Sequence, residues 1–243
     1  KKTNNSWEYY FKNLNKYNLN KVYKSKNVFL SNLKFEQDMH LDMTNIEISE
    51  HLKKIKIKES IISKVKAFQK KNFKKNKKIL GVHFRGSTYK TARGHAFPLT
   101  VKLMIENIKN LIKNYNYEKI FVVTEEEKYL KILKNTFGNK LFFYNSFRMK
   151  FLDSFDIYPR KNHRYLLGEE ILIESLLLSK CDGLTYIKSN VISAAIEFSK
   201  KNQIKLHEVF LGLNSRNRFI SKYLWYIRSI LPKDLGGFKL KYR

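Results

Sequence analysis

The sequence predicts an α/β fold in which strands alternate with helices along the chain. Short apolar and β-branched runs, typical of buried strands, occur at 79–84, 119–124, 140–144 and 184–187. Apolar residues at helical spacing occur at 57–73, 101–115, 129–137, 169–179 and 190–200. Because helices commonly connect parallel strands, this alternation predicts a Rossmann-like parallel sheet with flanking helices.

Local patterns support the individual elements in order. Ile61, Val65 and Phe68 share one face of the first predicted helix. The strand at 119–124 is rich in β-branched residues and is followed by three glutamates, and Gly138 ends the helix after it. The sequence therefore supports a helix, a strand and a helix in the order that a parallel sheet requires.

The 243 residues can form one good-sized domain with a smaller additional piece. Residues 1–54 are rich in Asn and Lys, and the chain opens on Lys1 instead of Met. We therefore expect residues 1–54 to be the partial end of a region that begins upstream, and residues 55–243 to form the α/β domain.

The net charge of +28 is extreme, and positions 52–78 carry twelve lysines and one glutamate. Three interpretations compete: attraction to nucleic acid, attraction to anionic lipid headgroups, and a bias of codon usage toward Lys and Asn. No zinc spacing, Gly-aromatic RNA signature or Arg-rich arm supports nucleic acid. A solvated face or a membrane-surface patch is the favoured interpretation.

The sequence contains no apolar run near 18 residues, and its N-terminus is too charged for a signal peptide. The single cysteine, Cys181, excludes an intramolecular disulfide and fits a reducing compartment. We expect a cytoplasmic protein that can lie at the inner face of a membrane.

The segment Gly81-Val-His83-Phe-Arg85-Gly86 places two polar side chains at the carboxyl end of a predicted strand. Open α/β sheets bind ligands at that edge. The planar guanidinium of Arg85 can donate to two phosphate oxygens at once and stays charged. The alternative is structural: Arg85 holds a loop in place and His83 is a satisfied polar group of the core.

Four segments together resemble one superfamily. They are Gly81-Val-His-Phe-Arg-Gly-Ser-Thr-Tyr-Lys90, Phe121-Val-Val-Thr-Glu-Glu126, Glu174-Ser-Leu-Leu-Leu-Ser-Lys-Cys-Asp182 and Lys188-Ser-Asn-Val191. In this order and spacing they resemble the GDP-fucose-dependent fucosyltransferases of GT-B architecture, which include the α-1,6-fucosyltransferases and nodulation fucosyltransferases. The resemblance covers roughly residues 57–238. It implies that 55–243 is the nucleotide-sugar half and that 1–54 belongs to an acceptor-side half.

The resemblance also implies residue roles. Arg85 would bind the β-phosphate of GDP and stabilise the leaving group. His83 would lie beside the guanine, and the Glu174 carboxylate would accept hydrogen bonds from guanine N1 and N2. For Glu174 the alternative is a surface charge on a helix.

Two further parts of the nucleotide site follow from the resemblance. Ser189 and the amides of Asn190 and Val191 would bind phosphate at a helix N-terminus, where N–H groups lack partners. Ser189 is also an ordinary N-cap residue. Glu126 corresponds to an acidic residue near the nucleotide, although a charge cluster at a helix start is equally compatible with three glutamates in a row.

The sequence departs from the superfamily after Arg85. Relatives have Thr-Asp there and a glutamate shortly after that serves as base, whereas this chain has Ser87-Thr88 and no carboxylate up to Pro98. His95 is the nearest side chain that can accept a proton near neutral pH, so we nominate it as the catalytic base. The alternative is a loop hydrogen bond or an acceptor contact.

No Asp-x-Asp motif and no His/Cys cluster with ligand spacing is present, so no metal and no cofactor is predicted. The expected activity is an inverting, metal-independent glycosyltransferase that transfers fucose from GDP-fucose to a glycan or lipid-linked glycan. Three alternatives stay open: another GDP-sugar donor, a basic nucleic-acid-binding α/β domain, and an inactive scaffold of the same fold.

Overall fold

A five-stranded parallel sheet forms the centre of the structure, a computed structural model that describes residues 6–13, 19–26, 55–74, 76–150, 157–199 and 204–243. The strands are β1 (Ile79–Phe84), β2 (Lys119–Thr124), β3 (Leu141–Phe142), β4 (Gly183–Tyr186) and β5 (Lys205–Glu208). Their spatial order is β3-β2-β1-β4-β5. The predicted parallel α/β sheet is therefore confirmed.

Nine α-helices occur in the described residues. They are α1 (Trp7–Tyr10), α2 (Leu19–Tyr23), α3 (Glu59–Asn72), α4 (Ser87–Thr91), α5 (Val101–Tyr115), α6 (Glu127–Phe137), α7 (His163–Leu178), α8 (Asn190–Phe198) and α9 (Arg218–Ile230). Short 3₁₀ helices follow at Gly138–Lys140 and Lys233–Leu235. None of these helices is long and apolar enough to cross a membrane.

The core lies on both faces of the central strand. All six residues of β1 are buried, as expected for a strand covered by helices on both sides. Helix α5 buries Leu103, Met104, Ile108 and Leu111, and Thr100 caps its N-terminus by accepting a hydrogen bond from the Leu103 N–H at 3.2 Å. Burial of these apolar side chains holds β1 in the middle of the sheet.

The chain divides into two compact units, residues 1–64 and 65–243. In the first unit, Phe11 and Ile57 form an antiparallel bridge, and Lys12 Nζ lies 3.2 Å from Glu59 Oε1. Residues 27–54 of the predicted N-terminal region lie outside the described residues. The predicted boundary between residues 54 and 55 stays a prediction.

Several predicted bounds were wrong in detail. The third strand comprises two residues instead of 140–144. Helix α7 begins at His163 instead of residue 169, because Gly168 is accommodated inside the helix and does not start it. Strand β5 and helix α9 were not predicted. Lys205-Leu-His-Glu is mostly polar, and such an edge strand lacks the apolar run on which the prediction relied.

Candidate active site

The candidate site lies where the strand order of the sheet reverses. From β1 the chain proceeds to β2 and β3 on one side and then returns to β4 and β5 on the other side. Open α/β sheets bind ligands in the crevice at the carboxyl ends of the two strands at such a point. His83 is in β1 and Arg85 follows that strand, while Ser189 and Asn190 follow β4. The fold thus brings four of the predicted site residues to one edge.

A cavity of about 80 Å³ opens at this edge. The ends of β1 and β2, the loop after β3, helix α7 and the start of α8 line it. His83, Arg85, Glu174 and Val191 are the predicted site residues among its lining side chains.

His83 connects the two strand ends. Its Nδ1 lies 3.4 Å from Ser189 Oγ, and its side chain is buried. Burial, together with the nearby Arg85 guanidinium, lowers the pKa of His83 to about 3. A neutral imidazole donates from one ring nitrogen and accepts at the other, so His83 can hold Ser189 and still offer a second polar atom.

Arg85 combines a partial ion pair with an unsatisfied donor. Its Nη1 lies 3.4 Å from Glu125 Oε2, and its Cζ lies 4.0 Å from the centroid of the Tyr89 ring. Its Nε is buried and has no hydrogen-bond partner among the described residues. Buried polar atoms are normally paired, so the unpaired N–H leaves the guanidinium with spare capacity to donate, and Arg85 lines the cavity where an anionic ligand oxygen would be stabilised.

The three successive glutamates after β2 have different environments. The Glu125 carboxylate lines the cavity, pairs with Arg85 and accepts a hydrogen bond from the Gly86 N–H at 3.0 Å. Glu126 is buried against Gly86, where a Cβ would collide with its carboxyl group. Glu126, the residue predicted to lie near the nucleotide, therefore packs against the backbone of the Arg85–Gly86 turn. Glu125, and not Glu126, lines the cavity.

Glu174 lies in the buried half of α7 and is part of an ion pair. Its Oε1 accepts hydrogen bonds from the Ser146 hydroxyl at 2.5 Å and from Arg148 Nη2 at 3.2 Å. Burial raises the pKa of Glu174, and the charge and hydrogen bonds of Arg148 oppose that rise. Both hydrogen bonds that Glu174 accepts from described residues end on Oε1, which leaves Oε2 for a ligand in the cavity.

Sequence reasoning missed Arg148. Its guanidinium also donates to the carbonyl oxygens of Thr124 at 2.6 Å and Tyr144 at 3.0 Å, so it fastens the end of β2, the loop after β3 and helix α7 together. The sequence did contain one indication of its role, because Arg148 follows the end of the strand predicted at 140–144 by a few residues. A second, half-buried ion pair involves the same helix, because Arg160 donates to both Glu170 oxygens at 2.7 Å.

The N-terminus of α8 has the features of an anion site. The Ser189 hydroxyl accepts a hydrogen bond from the Ile192 N–H at 3.4 Å, so Ser189 is the N-cap. Within the described chain, the amide N–H groups of Asn190 and Val191 donate no hydrogen bond. These N–H groups carry the partial positive charge of the N-terminus of a nine-residue helix, which would stabilise a bound anion.

His95 lies outside the cavity lining and is exposed. Its ring meets the Tyr89 ring edge-on at 5.2 Å between centroids, and Tyr89 contacts Arg85. The His95 carbonyl accepts a hydrogen bond from the Asn214 N–H at 2.8 Å, which fixes the loop. The Tyr89 ring thus contacts both His95 and Arg85.

The part of the chain that the structure describes contains no group of three or more His, Cys, Asp or Glu side chains arranged to hold a metal ion. Cys181 is buried, and burial raises its pKa.

No family model and no curated protein matches the chain. Solved structures do show similarity. The NodZ α-1,6-fucosyltransferase co-crystallised with GDP has 17% identity and a TM-score of 0.45, and the match covers 66% of this chain and 47% of that one. The fucosyltransferase NodZ from Bradyrhizobium has 17% identity and a TM-score of 0.44, with 68% and 50% coverage. POFUT1 in complex with GDP-fucose has 11% identity and a TM-score of 0.42, with 68% and 49% coverage. The chain spans about half the length of these structures.

Proposed function

We propose that this chain is the nucleotide-sugar half of a GDP-sugar glycosyltransferase, with GDP-fucose as the donor and a glycan or lipid-linked glycan as the acceptor. The four sequence segments that resemble the fucosyltransferase superfamily support this proposal. Their polar residues come from distant parts of the chain, and those of three segments meet at the cavity.

The observation that carries the proposal is the pairing of two anion-binding features at the reversal point of the sheet. The guanidinium of Arg85, with its unpaired buried Nε, follows β1, and the open amides of Asn190 and Val191 follow β4. Arg85 and Val191 both line the cavity. A diphosphate carries enough negative charge and enough acceptor oxygens to bind both features together.

Guanine recognition is assigned to Glu174. Guanine presents two adjacent N–H donors, whereas uracil and adenine do not present the same pair. The Glu174 carboxylate is held by Arg148 and Ser146 through Oε1, which fixes its position and stabilises its charge. A preorganised carboxylate loses little conformational entropy when a base binds, which favours selectivity.

The proposed reaction is a direct displacement at the anomeric carbon. The acceptor hydroxyl attacks that carbon from one face while the bond to the β-phosphate oxygen breaks on the other, so the configuration is inverted. Arg85 stabilises the charge that develops on the departing GDP, and His95 accepts the hydroxyl proton. Cationic side chains and helix amides act on the diphosphate in this scheme, and no metal is required.

Calorimetry with GDP, UDP and ADP tests the nucleotide site. GDP should bind more tightly than either competitor. Arg85→Ala should weaken GDP binding about 10- to 100-fold, because a charge-assisted hydrogen bond contributes about 1.5–3 kcal/mol. Arg85→Lys keeps the charge but loses the planar group that donates to two oxygens at once, so it should restore little of the lost GDP affinity.

Arg93→Ala removes an exposed arginine that follows helix α4 and does not line the cavity, so it is the matched control, for which GDP affinity should stay unchanged. Equal affinities for the three diphosphates, or full affinity in Arg85→Ala, would contradict the proposed site. Turnover of GDP-fucose compared with GDP-mannose then identifies the sugar. Cytoplasmic location stays a prediction.

A further inference from the structure

Helix α9 carries an exposed apolar face. Its outward residues recur at helical spacing and comprise Phe219, Ile220, Tyr223, Tyr226, Ile227 and Ile230. Phe219 is 75% exposed and Ile230 is 83% exposed. Among the described residues, eight of the thirteen exposed large apolar side chains lie in this helix or in the turn after it, which adds Leu231 and Leu235. Concentration of this kind marks an interaction surface.

The opposite face of α9 already anchors the helix to its domain. Trp225 is buried and its Nε1 donates to the Pro98 carbonyl at 2.8 Å. Ser221 is buried, and the Arg228 guanidinium lies over the Phe97 and Phe238 rings and donates to the Gly236 carbonyl at 2.9 Å. The inner face therefore accounts for the packing of the helix, and the outer apolar face is not needed for it.

The segment that contains this face is strongly basic. Residues 213–243 contain eight Lys and Arg and one acidic residue, Asp234. Arg218 and Lys222 are exposed on the flank of the helix itself. A second copy of this chain would bring the same positive surface against it, which electrostatic repulsion disfavours. An anionic surface with an apolar interior complements both features, since aromatic and aliphatic side chains enter the headgroup region while basic side chains meet the headgroups.

We propose that the outer face of α9 docks this protein on an anionic phospholipid bilayer. The helix lies in the plane of the interface, with Phe219, Tyr223 and Ile230 inserted and Arg218 and Lys222 at headgroup level. The lysines of 55–74 and 76–78 lack this combination, because no large apolar side chain is exposed among them. The proposal is independent of the nucleotide chemistry assigned above.

Vesicle flotation of the full 243-residue chain tests the proposal. Vesicles of phosphatidylcholine alone are compared with vesicles made of equal parts of phosphatidylcholine and phosphatidylglycerol, at physiological salt. Binding to the anionic vesicles should be at least about tenfold stronger and should weaken as salt is added. Absence of binding to the anionic vesicles, or equal binding to both kinds, overturns the proposal.

A triple variant locates the surface. Phe219→Ser, Tyr223→Ser and Ile230→Ser together should reduce binding at least about tenfold, because the inserted apolar area is removed. The matched control combines Tyr23→Ser, Tyr158→Ser and Leu206→Ser, which removes two aromatic and one aliphatic exposed side chains elsewhere. An equal loss in the control contradicts the assignment to α9.

A charge reversal, Arg218→Glu with Lys222→Glu, leaves the apolar residues in place and should also weaken binding to anionic vesicles. Circular dichroism melting checks that every variant is folded, and the reversal tests the proposal if the triple variant does not fold. Sedimentation velocity tests the alternative that a second copy of the chain binds this face. Self-association that the triple variant abolishes would assign the face to a second copy and overturn the proposal.

Discussion

The buried His83 makes a quantitative prediction about stability and pH. Its pKa is lowered from 6.5 to about 3 in the folded protein, mainly by burial. Between these two values the unfolded chain binds a proton that the folded chain does not, so the free energy of unfolding falls as the pH decreases below 6.5. Each pH unit in this window costs about 1.4 kcal/mol. Acidification to about pH 5 should therefore cost about 2 kcal/mol through His83 alone.

His207 contributes with the same sign. Burial and the nearby Lys205 lower its pKa from 6.5 to about 4, so it adds a loss of similar size by about pH 5. The two histidines together predict a loss of about 4 kcal/mol between neutral pH and about pH 5.

Urea unfolding followed by circular dichroism at both pH values measures this loss. His83→Gln should remove about half of the pH dependence, His207→Gln should remove the other half, and the double variant should remove nearly all of it. Glu174, whose raised pKa acts with the opposite sign, is unchanged in all variants, so the differences between them report the histidines. A His83→Gln variant with the wild-type pH dependence would refute the reasoning, because it would mean that the pKa of His83 is the same in the folded and the unfolded protein.

The remaining predictions concern the proposed activity. Glu174→Gln should bring GDP affinity close to that for UDP, as measured by calorimetry, because the amide has no negative charge and can place its NH2 group where Oε2 accepts from guanine; unchanged selectivity would contradict the guanine assignment. Activity should survive excess EDTA, and a requirement restored by a divalent ion would contradict the scheme. His95→Ala should lower kcat about 10²–10⁴-fold and leave GDP affinity unchanged, because a base acts on the acceptor hydroxyl; unaltered turnover would contradict the assignment of His95 and would direct the search for a base to Glu125, which lines the cavity.

The local sequence was enough to predict most of the sheet. A buried parallel strand is a short run of mostly apolar and β-branched residues, and β1, β2 and β4 have that signature, so their positions followed from the local sequence. Arg85 was also identifiable, because it directly follows such a run and the carboxyl edge of a sheet is where ligands bind. Strand β5 lacked the signature because it lies at the sheet edge.

The side-chain environment at the site was decided by the tertiary structure. Arg148 and Glu174 are separated by 26 positions and meet because the loop after β3 folds against α7. The different surroundings of Glu125 and Glu126 depend on which side of the Arg85–Gly86 turn each carboxylate occupies.

By itself, then, the sequence determined the alternation of strands and helices and the arginine at the end of β1, because these depend on neighbouring residues and local periodicity. The buried ion pair, the unpaired Arg85 Nε and the exposed face of α9 depend on contacts between distant segments. Helical periodicity can show that α9 has an apolar face, but the packing of Trp225 decides which face the domain buries and which one solvent reaches.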